Sequence, residues 1–207
     1  MPALSLSQAA VVAGVDAVAH AMAKPLTGEA RAHLAGWLDK LLLWNARIDL
    51  TAARGADELL DLMLADAFVL ASSIARDARV VDVGSGAGAP GLPLAILRPD
   101  LQLRLVEPLA KRVSFLVTVV GERRLSNVRV ERGKGESTEG GLDVAISRAT
   151  LAPEAWLALG AELAPEVHLL LAKSAAPSLS GLTLIEELEY AWPMTGAGRR
   201  LARYRRS

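Results

Sequence analysis

The stretch Val80-Val81-Asp82-Val83-Gly84-Ser85-Gly86-Ala87-Gly88 decides the architecture of this chain. It begins as a short, β-branched apolar run and stops in three glycines at alternate positions, the signature of a buried strand entering a tight loop. Glycine there permits positive φ and removes the Cβ that would hold a ligand away from the backbone. The next β-rich run, residues 101–107, ends in Glu107, 19 residues beyond Gly88. A carboxylate at that strand end can accept two hydrogen bonds from the hydroxyls of a ribose. The loop and the acid together indicate a nucleoside-containing cofactor.

Working outward, further short β-rich runs occupy residues 127–131, 142–147, 167–172 and 182–188, and helical stretches at 92–97, 111–122 and 153–163 lie between the first five. Strands alternating with helices predict a parallel sheet with crossover helices, in which ligands bind beyond the carboxyl ends of the strands. A last strand candidate, residues 200–204, carries alternating charge and suits a sheet edge. Before about residue 74 there is no strand pattern. Leu34, Trp37, Leu38, Leu41 and Leu42 recur at helical spacing, as do Leu59, Leu62, Met63, Ala67 and Leu70. Pro25 with Gly28, and then residues 51–55, separate three helices. The first 24 residues are apolar but lack a basic start, and Asp16 and His20 interrupt them, so they read as an amphipathic helix rather than a signal peptide. The expected organisation is a helical extension over 1–75 packed on a Rossmann-like α/β domain over 76–207, with a doubly wound, mostly parallel sheet.

Composition narrows the chemistry. In 207 residues, 52% hydrophobic side chains suffice for a real core, and no uninterrupted apolar run reaches membrane-spanning length. There is no cysteine, which removes disulfides, thiolate catalysis and cysteine-ligated zinc. His20, His33 and His168 lie on separate segments without metal-ligand spacing, so no metal is expected, and packing or surface roles are. Lys and Arg equal Asp and Glu at 23 each, but the balance is not local. Arg98, Arg104, Lys111, Arg112, Arg123, Arg124, Arg129, Arg132 and Lys134 crowd one block, and Arg199, Arg200, Arg203, Arg205 and Arg206 fill the end of the chain. Basic blocks in a neutral chain allow an anionic partner on one face.

Gly86-Ala87-Gly88-Ala89-Pro90-Gly91 also satisfies the GxGxxG pattern of nicotinamide-binding loops. Against that stands Asp82, two residues before the first glycine, where it would repel a pyrophosphate and attract a cation. Pro90 and Pro93 delay the helix, so its N-terminus is not presented directly at the loop as phosphate capture prefers. Pro108 with Lys111 and Arg112 leaves Glu107 at a clean strand end. Asp-x-Gly-x-Gly-x-Gly resembles the loop of class I S-adenosylmethionine-dependent methyltransferases, whose ligand carries an ammonium and a sulfonium.

The likeness is closer than that class. Trp44-Asn45-Ala46-Arg47-Ile48-Asp49-Leu50-Thr51 resembles the WNxxxNLT element of the rRNA small-subunit methyltransferase G family, also called glucose-inhibited division protein B. Asp82 to Ile96 resembles that family's GxGxGxPGxPLAI loop, Lys111-Arg112-Val113-Ser114-Phe115-Leu116 its GKRxxFL helix start, and Ile146-Ser147-Arg148-Ala149 its SRA element. The resemblance implies methyl transfer from S-adenosylmethionine to N7 of a guanine in 16S rRNA, with the small ribosomal subunit as partner. It further implies a cytoplasmic, monomeric enzyme. Guanine N7 is an unprotonated lone pair, so no general base is needed.

On this reading Gly84, Gly86, Gly88 and Ala89 offer backbone contact to the cofactor, Asp82 orients its amino end, and Glu107 holds its ribose. Gly135 and Glu136 flank the adenine. Arg148 meets the cofactor's polar end or the target guanine as the candidate catalytic residue, and Lys111, Arg112, Lys134 and Lys173 contact RNA phosphates. Simpler roles stand beside these. Asp82 can cap the glycine turn, Arg148 can be the counter-ion of Asp66 or Glu107, and Trp44 with Asn45 can serve packing and helix capping. The arginine tail fits either an RNA clamp or a solvated edge strand. The chain also departs from the family pattern at Met63, Ala67, Ala89, Glu107-Pro108, Lys134-Gly135-Glu136, Lys173-Ser174 and the arginine tail. Most of these are candidate RNA-side positions. That keeps open a relative acting on a small molecule or protein, or a cofactor-binding module without catalysis.

Overall fold

The computed structural model describes residues 4–135 and 141–207. Three helical segments come first. Ser7 caps α1 (Gln8–Ala21) by accepting the Ala10 N–H at 3.2 Å, and Thr27 caps α2 (Gly28–Asn45) through the Ala30 N–H at 3.1 Å. Such caps satisfy N–H groups that a helix start leaves without partners. The third segment is continuous but not uniform. It runs through α3 (Ala56–Leu60), a π-helical turn (Asp61–Ala65) and α4 (Asp66–Ser73). The helical spacing of Leu59, Met63, Ala67 and Leu70 survives, and all four are buried. The widened turn has no counterpart in the apolar pattern.

Then come β1 (Arg79–Val83), α5 (Gly91–Leu97), β2 (Gln102–Glu107), α6 (Ala110–Arg123), β3 (Val128–Arg132), β4 (Val144–Arg148), α7 (Pro153–Leu163), β5 (Glu166–Leu171), β6 (Leu182–Ala191) and β7 (Gly198–Arg206). Seven strands form one sheet in the order β3-β2-β1-β4-β5-β7-β6. The first five are parallel, and β7 pairs antiparallel with both β5 and β6. The order reverses between β1 and β4, so the loops after these two strands flank the crevice where doubly wound sheets take their ligands.

The expectation that residues 200–204 close an edge is corrected. β7 lies inside the sheet and β6 is the edge. Leu201, Ala202 and Tyr204 are buried in two different cores, which is what an interior strand requires. Arg200 and Arg203 are committed to ion pairs, while Arg205 and Arg206 remain exposed. Arg203 pairs with Glu166 at 2.7 Å and with Glu186, Arg200 with Glu187 at 3.0 Å and with Glu189, and Arg206 donates to the Ala161 carbonyl. Arg203 also donates to buried His168 Nε2 at 3.2 Å.

Side chains alternate across β1. Val80 joins the core beneath α4 and α5, while Val81 and Val83 join the core beneath α7. A third core merges the helical front with the sheet. It unites Val11, Val15, Leu34, Trp37, Leu41 and Phe68 with Ala87 and Ala89 of the glycine loop and with Phe115 of α6. The front helices therefore help build the wall of the loop. Trp44 meets Phe115 edge-on at 5.7 Å between centroids, and Asn45 Oδ1 accepts the Leu50 and Thr51 N–H groups, so this pair packs and caps.

Candidate active site

The loop after β1 is held from three sides. Gly84 and Ser85 donate their N–H groups to the Val106 carbonyl at 2.8 and 3.2 Å, Gly86 N–H reaches Glu107 Oε2 at 2.9 Å, and Trp37 Nε1–H holds the Ala87 carbonyl at 3.0 Å. Gly84, Gly86 and Gly88 all have positive φ, yet they serve different ends. A Cβ on Gly84 would lie 2.3 Å from Thr150 Oγ1, so that glycine is demanded by the neighbouring β4 loop. A Cβ on Gly86 would meet nothing nearer than the Gly84 carbonyl at 3.8 Å. The space it would enter belongs to the crevice, which is the open cradle a backbone-hugging ligand needs.

Glu107 is 2% exposed, and its second oxygen accepts the Leu109 N–H at 2.9 Å. An ionised carboxylate offers about four acceptor positions. Two are taken by these amides, leaving capacity for the two hydroxyls of a ribose. The acid is thus both a clamp on the loop and a fitting receptor for a nucleoside.

Asp82 lies on the same face of the sheet as Glu107, one strand over. It is buried, and its Oδ2 accepts the Gly91 N–H at 3.1 Å where α5 begins. The capping geometry is therefore present. Burial pushes its carboxyl up to about 7, against the opposing pull of the Gly91 N–H and the Arg148 charge.

Arg148 stands at the carboxyl end of β4, as expected, but its guanidinium is committed. Nη1 pairs with Asp66 Oδ2 at 2.9 Å and also donates to the Leu62 carbonyl, while Nη2 lies 3.5 Å from the Ala89 carbonyl. Of its two anticipated counter-ions, Asp66 is the one the structure supplies. The next residue, Ala149, has φ +54°, a left-handed conformation costly for a side-chain-bearing residue.

Gly135 is buried against Val83 and Leu159, where a Cβ would lie 2.7 Å from the Leu159 side chain. It borders the end of β1 and owes its smallness to packing. Glu136 lies outside the described residues. Lys111, Lys134 and Lys173 are exposed after β2, β3 and β5, on the rim that carries the glycine loop. Arg112 is half-buried and donates to the Asp49 carbonyl at 3.1 Å, so its charge also ties α6 to the helical front.

Sequence reasoning missed Trp37, whose place in an apolar stripe conceals its hydrogen bond to the loop. It also missed Asp61, Tyr190 and Trp192, which meet around the π-helical turn. No local pattern marks them.

Comparison with known proteins bears on the whole arrangement. The family model described as rRNA small subunit methyltransferase G matches residues 30–179. The protein named ribosomal RNA small subunit methyltransferase G of Anaeromyxobacter dehalogenans (strain 2CP-C) is 35% identical over 201 residues, 90% of this chain and 93% of that one. Its namesake in Mycobacterium leprae (strain TN) is 48% identical over 118 residues, 54% of this chain and 48% of that one. Among solved structures, Trm5b from Pyrococcus abyssi superposes with a TM-score of 0.52 and 12% identity over 69% of this chain and 48% of that one. Precorrin-6y C5,15-methyltransferase from Geobacter metallireducens GS-15 gives 0.50 with 10% identity over 77% and 91%. These two likenesses concern the fold.

Proposed function

The chain belongs to the rRNA small subunit methyltransferase G family, and from that premise we propose that it transfers a methyl group from S-adenosylmethionine to N7 of a guanine in 16S rRNA. The observation that carries the reading is the glycine loop at the β1/β4 reversal, with open space at Gly86 and a half-used carboxylate at Glu107. S-adenosylmethionine supplies an electrophilic methyl carbon on a sulfonium. The protein's task is alignment. Holding a nucleophile at near-attack distance can supply ~7–11 kcal/mol of a barrier.

In this proposal Gly84, Gly86, Gly88 and Ala89 present backbone to the cofactor, Glu107 receives its ribose hydroxyls, Gly135 and Glu136 border its adenine, and Asp82 orients its amino end. Arg148 shapes the wall beside Ala89. Because Asp66 neutralises it, the site adds no net positive charge where the methylated guanine becomes cationic. Lys111, Arg112, Lys134 and Lys173 face RNA phosphates along the rim, and the protein works as a cytoplasmic monomer. Among the described residues no helix is long and apolar enough to cross a membrane.

The departures at positions 63 and 67 do not alter an exposed substrate face. Met63 is 3% and Ala67 0% exposed. Both are core positions, as their helical apolar spacing suggests, so their change alters packing.

The test is transfer of labelled methyl to small ribosomal subunits lacking this family's modification, with fully modified subunits as control. Incorporation confined to the deficient subunits and mapped to guanine N7 is expected. Intact adenosylhomocysteine binding without incorporation would point instead to a small-molecule or protein substrate, or to a non-catalytic module.

Two further results are expected. Lys111→Ala should weaken RNA binding and make its log–log salt dependence shallower by about 0.7–0.9, the share of one phosphate contact. An unchanged slope assigns Lys111 to the solvated surface. Asp82 should make cofactor affinity pH-dependent. Below about 7 its carboxyl is neutral and attracts an ammonium weakly; above it the carboxylate is charged. Calorimetry from pH 6 to pH 8 should therefore show tighter binding as pH rises, with proton release on binding near pH 7. The ligand-free protein should behave oppositely, since a raised folded-state value gives stability that is present below the unfolded value and lost as pH rises through about 7. Both slopes should vanish in Asp82→Asn.

A further inference from the structure

Asp66 is 2% exposed and accepts three hydrogen bonds from distant parts of the chain. Its Oδ1 takes the Tyr190 hydroxyl at 2.7 Å and Trp192 Nε1–H at 2.8 Å, and its Oδ2 takes Arg148 at 2.9 Å. Burial and the Asp66 charge together raise the Tyr190 hydroxyl above its ordinary range, so it stays a donor. Asp61, fully buried, accepts the N–H groups of Met194 and Thr195 at 3.0 and 2.8 Å and the Thr195 hydroxyl at 2.7 Å. Both carboxylates therefore grip one β6–β7 turn, which is closed by Arg199 lying 3.5 Å above the Trp192 ring.

The π-helical turn makes this possible. In an α-helix, positions five apart point about 140° away from each other at 3.6 residues per turn. The wider i→i+5 turn brings such positions close to one face, and such turns frequently occur at functional sites. Asp61 and Asp66 are five apart and bracket that turn. Their alignment leaves one oxygen of Asp66 facing inward to Arg148, whose guanidinium reaches on to the Leu62 and Ala89 carbonyls.

We propose that Asp66 is a positioning residue for methyl transfer: through Arg148 it sets the Ala89 segment of the glycine loop against the methionine end of the cofactor. This rests on the function proposed above, in which Ala89 belongs to the cofactor site. Without the Asp66 anion, the 17%-exposed guanidinium of Arg148 would be held by carbonyls alone and would turn toward solvent. Ala89 would then lose a tether on the side facing β4.

Asp66→Asn separates the two roles of the residue. The amide oxygen still accepts from Tyr190 and Trp192, while the amide NH2 confronts Arg148 with a donor instead of a charge. Three quantities are read on the full-length protein: melting temperature, adenosylhomocysteine Kd by calorimetry, and kcat and KM on deficient small subunits. The expected result is a Kd raised several-fold and a kcat lowered by about tenfold or more, with KM for the subunit within about twofold. Thr195→Val, which loosens the same β6–β7 turn without touching Asp66, should lower the melting temperature and leave Kd and kcat at parental values. If Asp66→Asn lowers only the melting temperature, Asp66 is a brace and the proposal is overturned. Should Asp66→Asn fail to fold, Arg148→Lys carries the test. Its single ammonium cannot serve Asp66 and both carbonyls, so it should reproduce the losses in Kd and kcat, and parental values would overturn the proposal. A parent protein that binds adenosylhomocysteine but methylates no subunit would refute the assigned reaction, and the Kd comparison would still judge Asp66.

Discussion

Gly86→Val should yield a folded protein that no longer binds S-adenosylmethionine. Two properties of position 86 make this the most decisive substitution in the chain. Its φ is +57°, where a β-branched residue is strained by roughly 1–2 kcal/mol, a cost a domain of this size can carry. The new Cβ meets no atom beyond its chain neighbours closer than 3.8 Å, so it fits without displacing the loop. Its methyls instead extend into the crevice proposed to hold the cofactor. A Kd raised more than about a hundredfold, over 2.7 kcal/mol, is expected from calorimetry with adenosylhomocysteine, alongside a modest fall in melting temperature. Gly84→Ala would be a poor substitute, because its Cβ collides with Thr150 and any loss of binding could follow from misfolding. Parental affinity in Gly86→Val would remove the loop from the cofactor site.

Glu107→Ala should have the second largest effect, and it should act in two places. The Gly86 and Leu109 N–H groups lose a buried acceptor, which costs about 1–3 kcal/mol for each group that finds no water. The ribose loses charge-assisted hydrogen bonds worth ~1.5–3 kcal/mol, which corresponds to about tenfold to a hundredfold in cofactor affinity. Chemical denaturation measures the first effect and calorimetry the second. A destabilised variant that binds as tightly as the parent would make Glu107 a loop clamp alone.

These two positions show what kind of information the linear chain carries. Gly86 and Glu107 were recognisable as candidates because they stand at fixed spacing along a short segment: strand, loop, helix, strand. The short β-rich runs of β1 to β5 and the helical spacing of Leu34, Trp37, Leu38 and Leu41 were legible for the same reason, since local residue preferences and spacing act whatever the rest of the chain does. Arg148 was legible only in part. Its place at the end of β4 follows from the strand pattern, but its partner lies 82 residues away, and two carboxylates were equally eligible until the fold chose between them.

Charge misled where topology intervened. A tail of five arginines reads as a basic surface, yet β7 inserts between β5 and β6 and sets Arg200 and Arg203 beside Glu166, Glu186, Glu187 and Glu189.

By itself, then, the amino-acid order determined the Rossmann-like alternation, the helical front, the glycine loop and the acid that ends β2, because each depends on backbone preferences and apolar periods acting over a few residues. The tertiary structure alone decided that β7 is interior, that Trp37 holds the loop at Ala87, and that Asp61 and Asp66 grip the β6–β7 turn while Asp66 holds Arg148. A buried charge or polar hydrogen must find its partner wherever the sheet order brings one within reach, and no local period encodes that distance.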